Sequence, residues 1–137
     1  NYVVLLGRDV LEALEINTLN LRFQCEQELK SKLINLRQLY LGGYRDRNIL
    51  NNLLFKSINS ILHILRNVLR LRGRKVPYLK ADILTELGLE FNFNTEIWRQ
   101  ILAAKNQQLR LSLKESERLF TGLIRGLEKI VDIVDKL

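Results

Sequence analysis

Six polar residues in the middle of the chain, Asn52, Lys56, Asn59, His63, Arg66 and Arg70, recur at spacings of four, three, four, three and four. On an α-helix that spacing sets all six along one face, with Ser60 and Asn67 at its border. Two arginines one turn apart grip one phosphate, or two adjacent ones, through bidentate hydrogen bonds. A histidine earlier on the same face adds a donor that protonation switches. Two interpretations stand side by side. Every amphipathic helix has a wet face, and this is one; or the face is an anion-binding ridge. The plain wet face is the default, and the lack of any carboxylate is what speaks for the second, because ordinary wet faces mix charges of both signs.

The charge distribution gives the stripe its context. Net charge is +7, yet residues 47–81 hold eight basic residues and no acid, while the remaining fourteen bases meet fifteen acids. One segment therefore carries the whole excess, and such a local field attracts phosphate, acidic protein surface or anionic lipid. Arg74 and Lys75, just beyond the stripe, join Lys56, His63, Arg66 and Arg70 as candidate anion- or nucleotide-binding residues. No catalytic residue and no metal site is expected. One His and one Cys cannot assemble a nitrogen/sulfur cage. Asp132 and Asp135 share a helix face but read as solvated. No Ser/His/Asp or Cys/His arrangement and no Gly-rich phosphate loop stands out. The aromatic residues are dispersed rather than interleaved with the bases, which leaves base stacking, and with it nucleic acid as a partner, weakly supported. A duplex-reading recognition helix is also a poor match, since this helix is too long and too apolar.

The elements that must position the stripe are helical. Leu-rich composition, 47% apolar content and a single Pro predict an all-α protein. A first helix is expected over residues 19–41, capped by Asn17 or Thr18, closed by Gly42 and Gly43, with Leu29, Leu33, Leu36 and Tyr40 inward. A second opens at Asp46 as cap and reaches residue 71 or 72 before Gly73. Its apolar arc is wide enough to meet helices on more than one side. Pro77 makes residues 73–77 a basic connector. A short helix over 80–87 ends at Gly88, Asn94 caps a helix over 95–105, and residues 106–111 fray, kink or loop. Ser112 and Glu115 have capping-box spacing, so a last helix starts near Leu113. Gly122 and Gly126 on that helix allow a neighbour to approach closely. The economical architecture is an antiparallel four-helix bundle with a short extra helix.

The front of the chain reads differently. Residues 2–6 are β-branched or large apolar and are followed by Gly7, Arg8 and Asp9, the pattern of a buried strand ending in a turn. A stray extended segment without a partner strand, in a sequence with no methionine, is expected to belong to a missing upstream part. Residues 1–16 are thus assigned as a linker or edge segment and 17–137 as the helical domain. The lone Cys25 is expected to be a buried thiol, and a reducing cytoplasm is the expected compartment. No stretch approaches the roughly 18 apolar residues of a membrane span.

The succession "YVVLLGRDVLEALEI", "LRFQCEQELKSKLINLRQLYLGG", "KSINSILHILRNVLRLRG" and "LFTGLIRGLEKIVDIVDKL" resembles the C-terminal helical region of bacterial proteins with an N-terminal nucleotidyltransferase domain. It is similar, more broadly, to the C-terminal domain of kanamycin nucleotidyltransferase and to the HEPN helical domains paired with minimal nucleotidyltransferases. The resemblance covers nearly the whole chain but rests on helix texture, without a catalytic signature. It implies a nucleotidyltransferase domain, in cis or in trans, that would supply a Gly-Ser motif and an Asp-x-Asp strand binding magnesium and a nucleoside triphosphate. Neither string occurs in this sequence, so no cofactor is expected in the chain itself. The implied role is an accessory bundle, substrate-binding or dimerising as a homodimer, and not catalytic alone. Some HEPN domains are ribonucleases using an Arg followed four to six residues later by a His; His63 has no such arginine before it. The alternative is a stand-alone basic helical module that binds RNA or an acidic protein.

Overall fold

The computed structural model describes residues 2–42 and 46–137, with side chains from residue 18 onward, and every element among the described residues is a helix. The elements are α1 (Tyr2–Leu41), α2 (Arg47–Leu71), α3 (Lys80–Phe91), α4 (Glu96–Asn106) and α5 (Leu113–Asp135).

The first element corrects the sequence expectation. Residues 2–6 are the opening turns of α1, not an extended segment, and the start expected at residue 19 lies inside the helix. The boundary drawn between residues 16 and 17 also falls inside it. Val3, Leu6, Val10 and Leu14 recur at helical spacing as well as forming part of an apolar run, and no proline interrupts them. A single interior glycine costs only about 1 kcal/mol against alanine, so Gly7 does not end the helix. Gly43, expected to help close α1, lies outside the described residues.

Local chemistry sets most of the other ends. Asp46 Oδ1 accepts the N–H groups of Asn48 at 2.8 Å and Ile49 at 3.2 Å, capping α2. At its far end Gly73 sits at φ 72°, where its N–H reaches Arg70 O at 3.0 Å and the Arg74 N–H reaches Leu69 O at 3.1 Å. The α3 helix runs past Gly88 to Phe91 and stops at Asn92, which takes the left-handed conformation at φ 51°. Thr95 is the N-cap of α4, and Asn94 Oδ1 still accepts the Glu96 N–H at 3.0 Å. Ser112 Oγ accepts the Glu115 N–H at 3.2 Å and opens α5, while the Glu115 carboxylate is taken by Arg118.

Side-chain pairs fix the helix directions. Lys30 meets Asp135 at 3.0 Å and Arg37 meets Glu128 at 2.8 Å, while Tyr40 stacks on Phe120 at 5.8 Å between centroids, so α1 and α5 are antiparallel. Arg118 bonds Gln100 at 2.7 Å, while Ile97 and Trp98 lie over Gly122 and Gly126, so α4 is antiparallel to α5. The α2 and α5 helices start together at the Asn51–Ser116 contact and face each other across the bundle's diagonal. The result is the expected antiparallel four-helix bundle of α1, α2, α4 and α5, with α3 the short extra helix over α2 and α4.

The core is one cluster built from Leu29, Leu33 and Leu36 of α1, the long arc of α2, and Leu119, Leu123, Leu127, Ile130 and Val134 of α5. Burying each such side chain contributes about 1.5–3 kcal/mol. Trp98 is 1% exposed and meets Phe93 edge-on at 5.5 Å. Its indole rests on Gly126, where an added methyl would overlap it, and a methyl at Gly122 would lie 2.8 Å from Ile97 Cγ2. Cys25 is buried, and burial, with the Glu28 charge adding to it, pushes its thiol up to about 11. A polar knot pins the chain between α4 and α5. Asn51 Nδ2 donates to Ser116 Oγ at 3.0 Å and to Leu111 O at 3.2 Å, and its Oδ1 accepts the Leu111 N–H at 3.0 Å.

Two stability predictions result. Gly126→Ala should destabilise by about 1–3 kcal/mol in denaturant titration, because a rigid buried indole must move; a variant as stable as the parent would show that the α4–α5 approach is looser than described. Asn51→Ala should cost about 2–3 kcal/mol by the same measurement, since the buried Ser116 hydroxyl and the Leu111 amide lose a common partner.

Candidate functional site

The stripe exists as a single face of α2. Asn52, Lys56, His63 and Arg70 are exposed, and Asn59 and Arg66 half-buried. Its cations have polar, uncharged company. Arg66 Nη2 donates to Tyr78 O at 3.3 Å and Arg70 Nη1 to Asn67 Oδ1 at 3.1 Å. Among the described residues, none of Lys56, His63, Arg66 and Arg70 forms an ion pair with a carboxylate.

The helices around α2 divide this face. His63 looks toward α1, across an open groove of about 670 Å³ that also holds Glu28, Ser31, Lys32 and Asn35. That groove carries both signs of charge. Lys56 instead shares a groove of about 390 Å³ with Lys105 of α4. Arg66 lines a third, of about 550 Å³, with Lys80 at the start of α3. Asn59 borders the first two grooves and accepts from Lys80 Nζ at 2.6 Å.

Arg74 leaves the candidate set, and this corrects the sequence expectation. Its guanidinium bonds both Glu90 and Glu86, and Arg72 Nε bonds Glu90 Oε1 at 2.9 Å. The reason is tertiary: α3 folds back along the end of α2 and delivers two acids to a basic turn that has none of its own. The two arginines hold the Glu90 carboxyl below the usual glutamate range, and the carboxylates hold the Arg74 guanidinium above its usual value. Lys75 stays exposed on the connector.

Lys105 is the functional candidate that sequence reasoning missed. Burial, with the Lys80 charge adding to it, holds its ammonium below the usual lysine range. No local pattern could have found it, because only the docking of α4 brings it beside Lys56. Lys80 was visible as one of the eight bases of the acid-free segment. Near the other end, Asp135 is engaged by Lys30, and among the described residues no group of three or more His, Cys, Asp or Glu could hold a metal ion. No helix among them is long and apolar enough to cross a membrane.

No protein-family model, curated protein or solved structure matches the chain. What the arrangement offers is an array of cationic donors along one helix, suited to hold anionic oxygens by charge-assisted hydrogen bonds.

The Arg72/Arg74/Glu90 cluster yields a pH prediction. A carboxyl lowered on folding contributes stability that is complete above the unfolded glutamate value of about 4.3. That contribution drains away as pH falls through the lower folded value. Glu90→Gln should therefore lower the melting temperature at about pH 7 and lose less than the parent on acidification to about pH 3. Parallel acid limbs for the two proteins would show that Glu90 is not held this way.

Proposed function

We propose that this chain is an accessory helical module, not catalytic alone, that presents α2 to phosphate-bearing ligands beside a nucleotidyltransferase domain. One observation carries the anionic part of this reading: Lys56, His63, Arg66 and Arg70 share one side of α2 and, among the described residues, form no ion pair with a carboxylate. Some surface cations elsewhere are met by acids, as at Arg37, Arg74 and Arg118; what marks α2 is that four cations fall on one helix face with no acid on that face. A stripe left unanswered has its counter-charge to take from outside.

The nucleotidyltransferase part rests on the resemblance of the helix order and strings to the bundles that follow such domains. In that setting the chain contributes cations that hold or orient the phosphate of a nucleotide or of its acceptor, while another domain supplies the metal-dependent chemistry. A reducing cytoplasmic setting fits its single buried thiol.

The test is a double variant. Arg66→Ala with Arg70→Ala should weaken nucleoside triphosphate binding by at least about tenfold, since two charge-assisted contacts at about 1.5 kcal/mol or more each are lost. Helicity by circular dichroism should be unchanged, because neither guanidinium belongs to the core: Arg70 is exposed, and half-buried Arg66 bonds only the Tyr78 carbonyl. Unchanged affinity would reject the stripe as a binding face. Binding of oligoribonucleotide instead of nucleotide, with an affinity that falls steeply with salt through counterion release, would move the reading to an RNA-binding module.

A further inference from the structure

The stripe has a second bank. Lys80, the first residue of α3, reaches over α2 to donate to Asn59 Oδ1 at 2.6 Å. This bridge stands between two open cavities. One, of about 390 Å³, has Lys56 on one wall and Lys105 on the other, with Asn52 and Phe55 completing it. The other, of about 550 Å³, lies between Arg66, Lys80 and Asn106, under the Tyr78 backbone. Four cations from three helices thus line a strip of two open volumes with the bridge between them, and among the described residues no acid lines either cavity.

Such an arrangement is unfavourable when empty. Like charges gathered around open volume repel, and the repulsion is felt most where a cation is partly buried. The molecule shows that strain in two places. Lys105 is disfavoured as an ammonium by burial and by the charge of Lys80. Arg66 Nε is shut off from solvent without a hydrogen-bond partner, and the same guanidinium's Nη2 makes only a 3.3 Å contact to the Tyr78 carbonyl. The contrast lies one turn beyond the stripe. There Arg72 and Arg74, the arginines of a structural junction, receive Glu86 and Glu90. Two acids answer that junction, and among the described residues none forms an ion pair with Lys56, Lys80, Lys105 or Arg66.

We propose that Lys56, Arg66, Lys80 and Lys105 form an oligophosphate subsite between α2, α3 and α4, with phosphates seated on either side of the Lys80–Asn59 bridge. A chain of linked phosphates matches the strip better than a single anion. The cations are distributed over two adjoining cavities, and Lys56 and Arg66 stand ten residues apart on α2, about 15 Å along a helix. Flexible lysine stems close in on the ligand from three sides, and the Arg66 fork supplies directional donors at one end. The subsite rests on the proposed anion-binding role of α2 and adds to it the residues on the opposite bank and the chemical class of the ligand.

The experiment is calorimetric titration of the 137-residue chain with inorganic tripolyphosphate at low salt. Lys80→Gln with Lys105→Gln should weaken binding at least tenfold, whereas Lys114→Gln with Lys136→Gln, which removes the same charge from α5 and the C-terminus, should change it less than twofold. The first variant should keep its helicity and melting temperature, because relief of the repulsion offsets the loss of the exposed Lys80–Asn59 hydrogen bond. His63→Ala with Arg70→Ala tests the rest of the stripe independently of both cavities. If that variant binds normally while Lys80→Gln/Lys105→Gln does not, the subsite stands and the wider stripe reading falls. If the reverse is found, the subsite is overturned and the stripe survives. Equal losses in the two lysine pairs, or no tripolyphosphate binding at all, also overturn it. A nucleoside triphosphate run in parallel identifies the source: equal affinity assigns recognition to the phosphate chain alone, and tighter binding assigns it to a nucleotide's tail, both in support of the subsite.

Discussion

The α2 helix touches all four other helices, and the rest of the molecule is arranged around that constraint. Leu50, Leu54, Ile58, Ile61, Leu62, Ile64, Leu65, Val68 and Leu69 are all buried, leaving only a narrow strip of its circumference in contact with water. A helix enclosed to this degree has few positions at which charge is tolerated, since an unpaired charge in the core is prohibitively costly. Beyond its first turn, its charged residues and His63 therefore fall into one file. Concentration of positive charge follows from the packing, and the sign is the sequence's own choice: the file contains lysine, arginine and histidine, without glutamate or aspartate.

What neighbouring helices then do with that charge differs along the file. At the C-terminal end of α2 the returning α3 brings Glu86 and Glu90 against Arg72 and Arg74, making a closed ionic junction. In the middle, α3 and α4 bring Lys80 and Lys105 instead, so charge of the same sign faces Lys56 and Arg66 across open volume. Exposed ion pairs are individually worth only about 0–1 kcal/mol, so the acids at the junction matter less for stability than for what they remove from the surface potential. After that cancellation the positive field of α2 is centred on its middle turns.

The parts of this architecture that were legible in the sequence are those with local causes. Asp46, Gly73 and Ser112 each mark a helix end through their own backbone or side-chain geometry, and the leucine seams of α2 and α5 need only periodicity. The stripe is legible for the same reason. Residues 2–6 were misread because a short apolar run satisfies strand and helix alike, and length had to arbitrate. Arg74 was misread because its partners lie 12 and 16 residues away on another helix. Lys105 was missed because nothing near it in sequence is unusual. Asn51 was passed over because it sits one residue from the stripe and looks like an ordinary surface amide. The last three failures share one origin: a residue whose role is set by a helix it meets only after folding.

The Asn51 knot shows how such a role is enforced. The chain leaving α4 passes through Gln108 at φ 54° and must enter α5 at Ser112. Asn51 holds it at Leu111, while Arg47 Nε donates to Leu111 O at 2.7 Å and Arg110 reaches Asn48 Oδ1 at 2.7 Å. Because these bonds tie the loop to the first turns of α2, the last turn of α4 is held beside the same stretch of helix, and Lys105 with it. At the other end of α4, Ile97 and Trp98 press into the space left by Gly122 and Gly126. The two anchors fix both the depth and the axial position of α4 against its neighbours. The lysine stems stay flexible, but the backbone positions that bring Lys105 near Lys56 and Lys80 are set by the packing of α4, so the placement of this positive cleft between α2, α3 and α4 follows from the core.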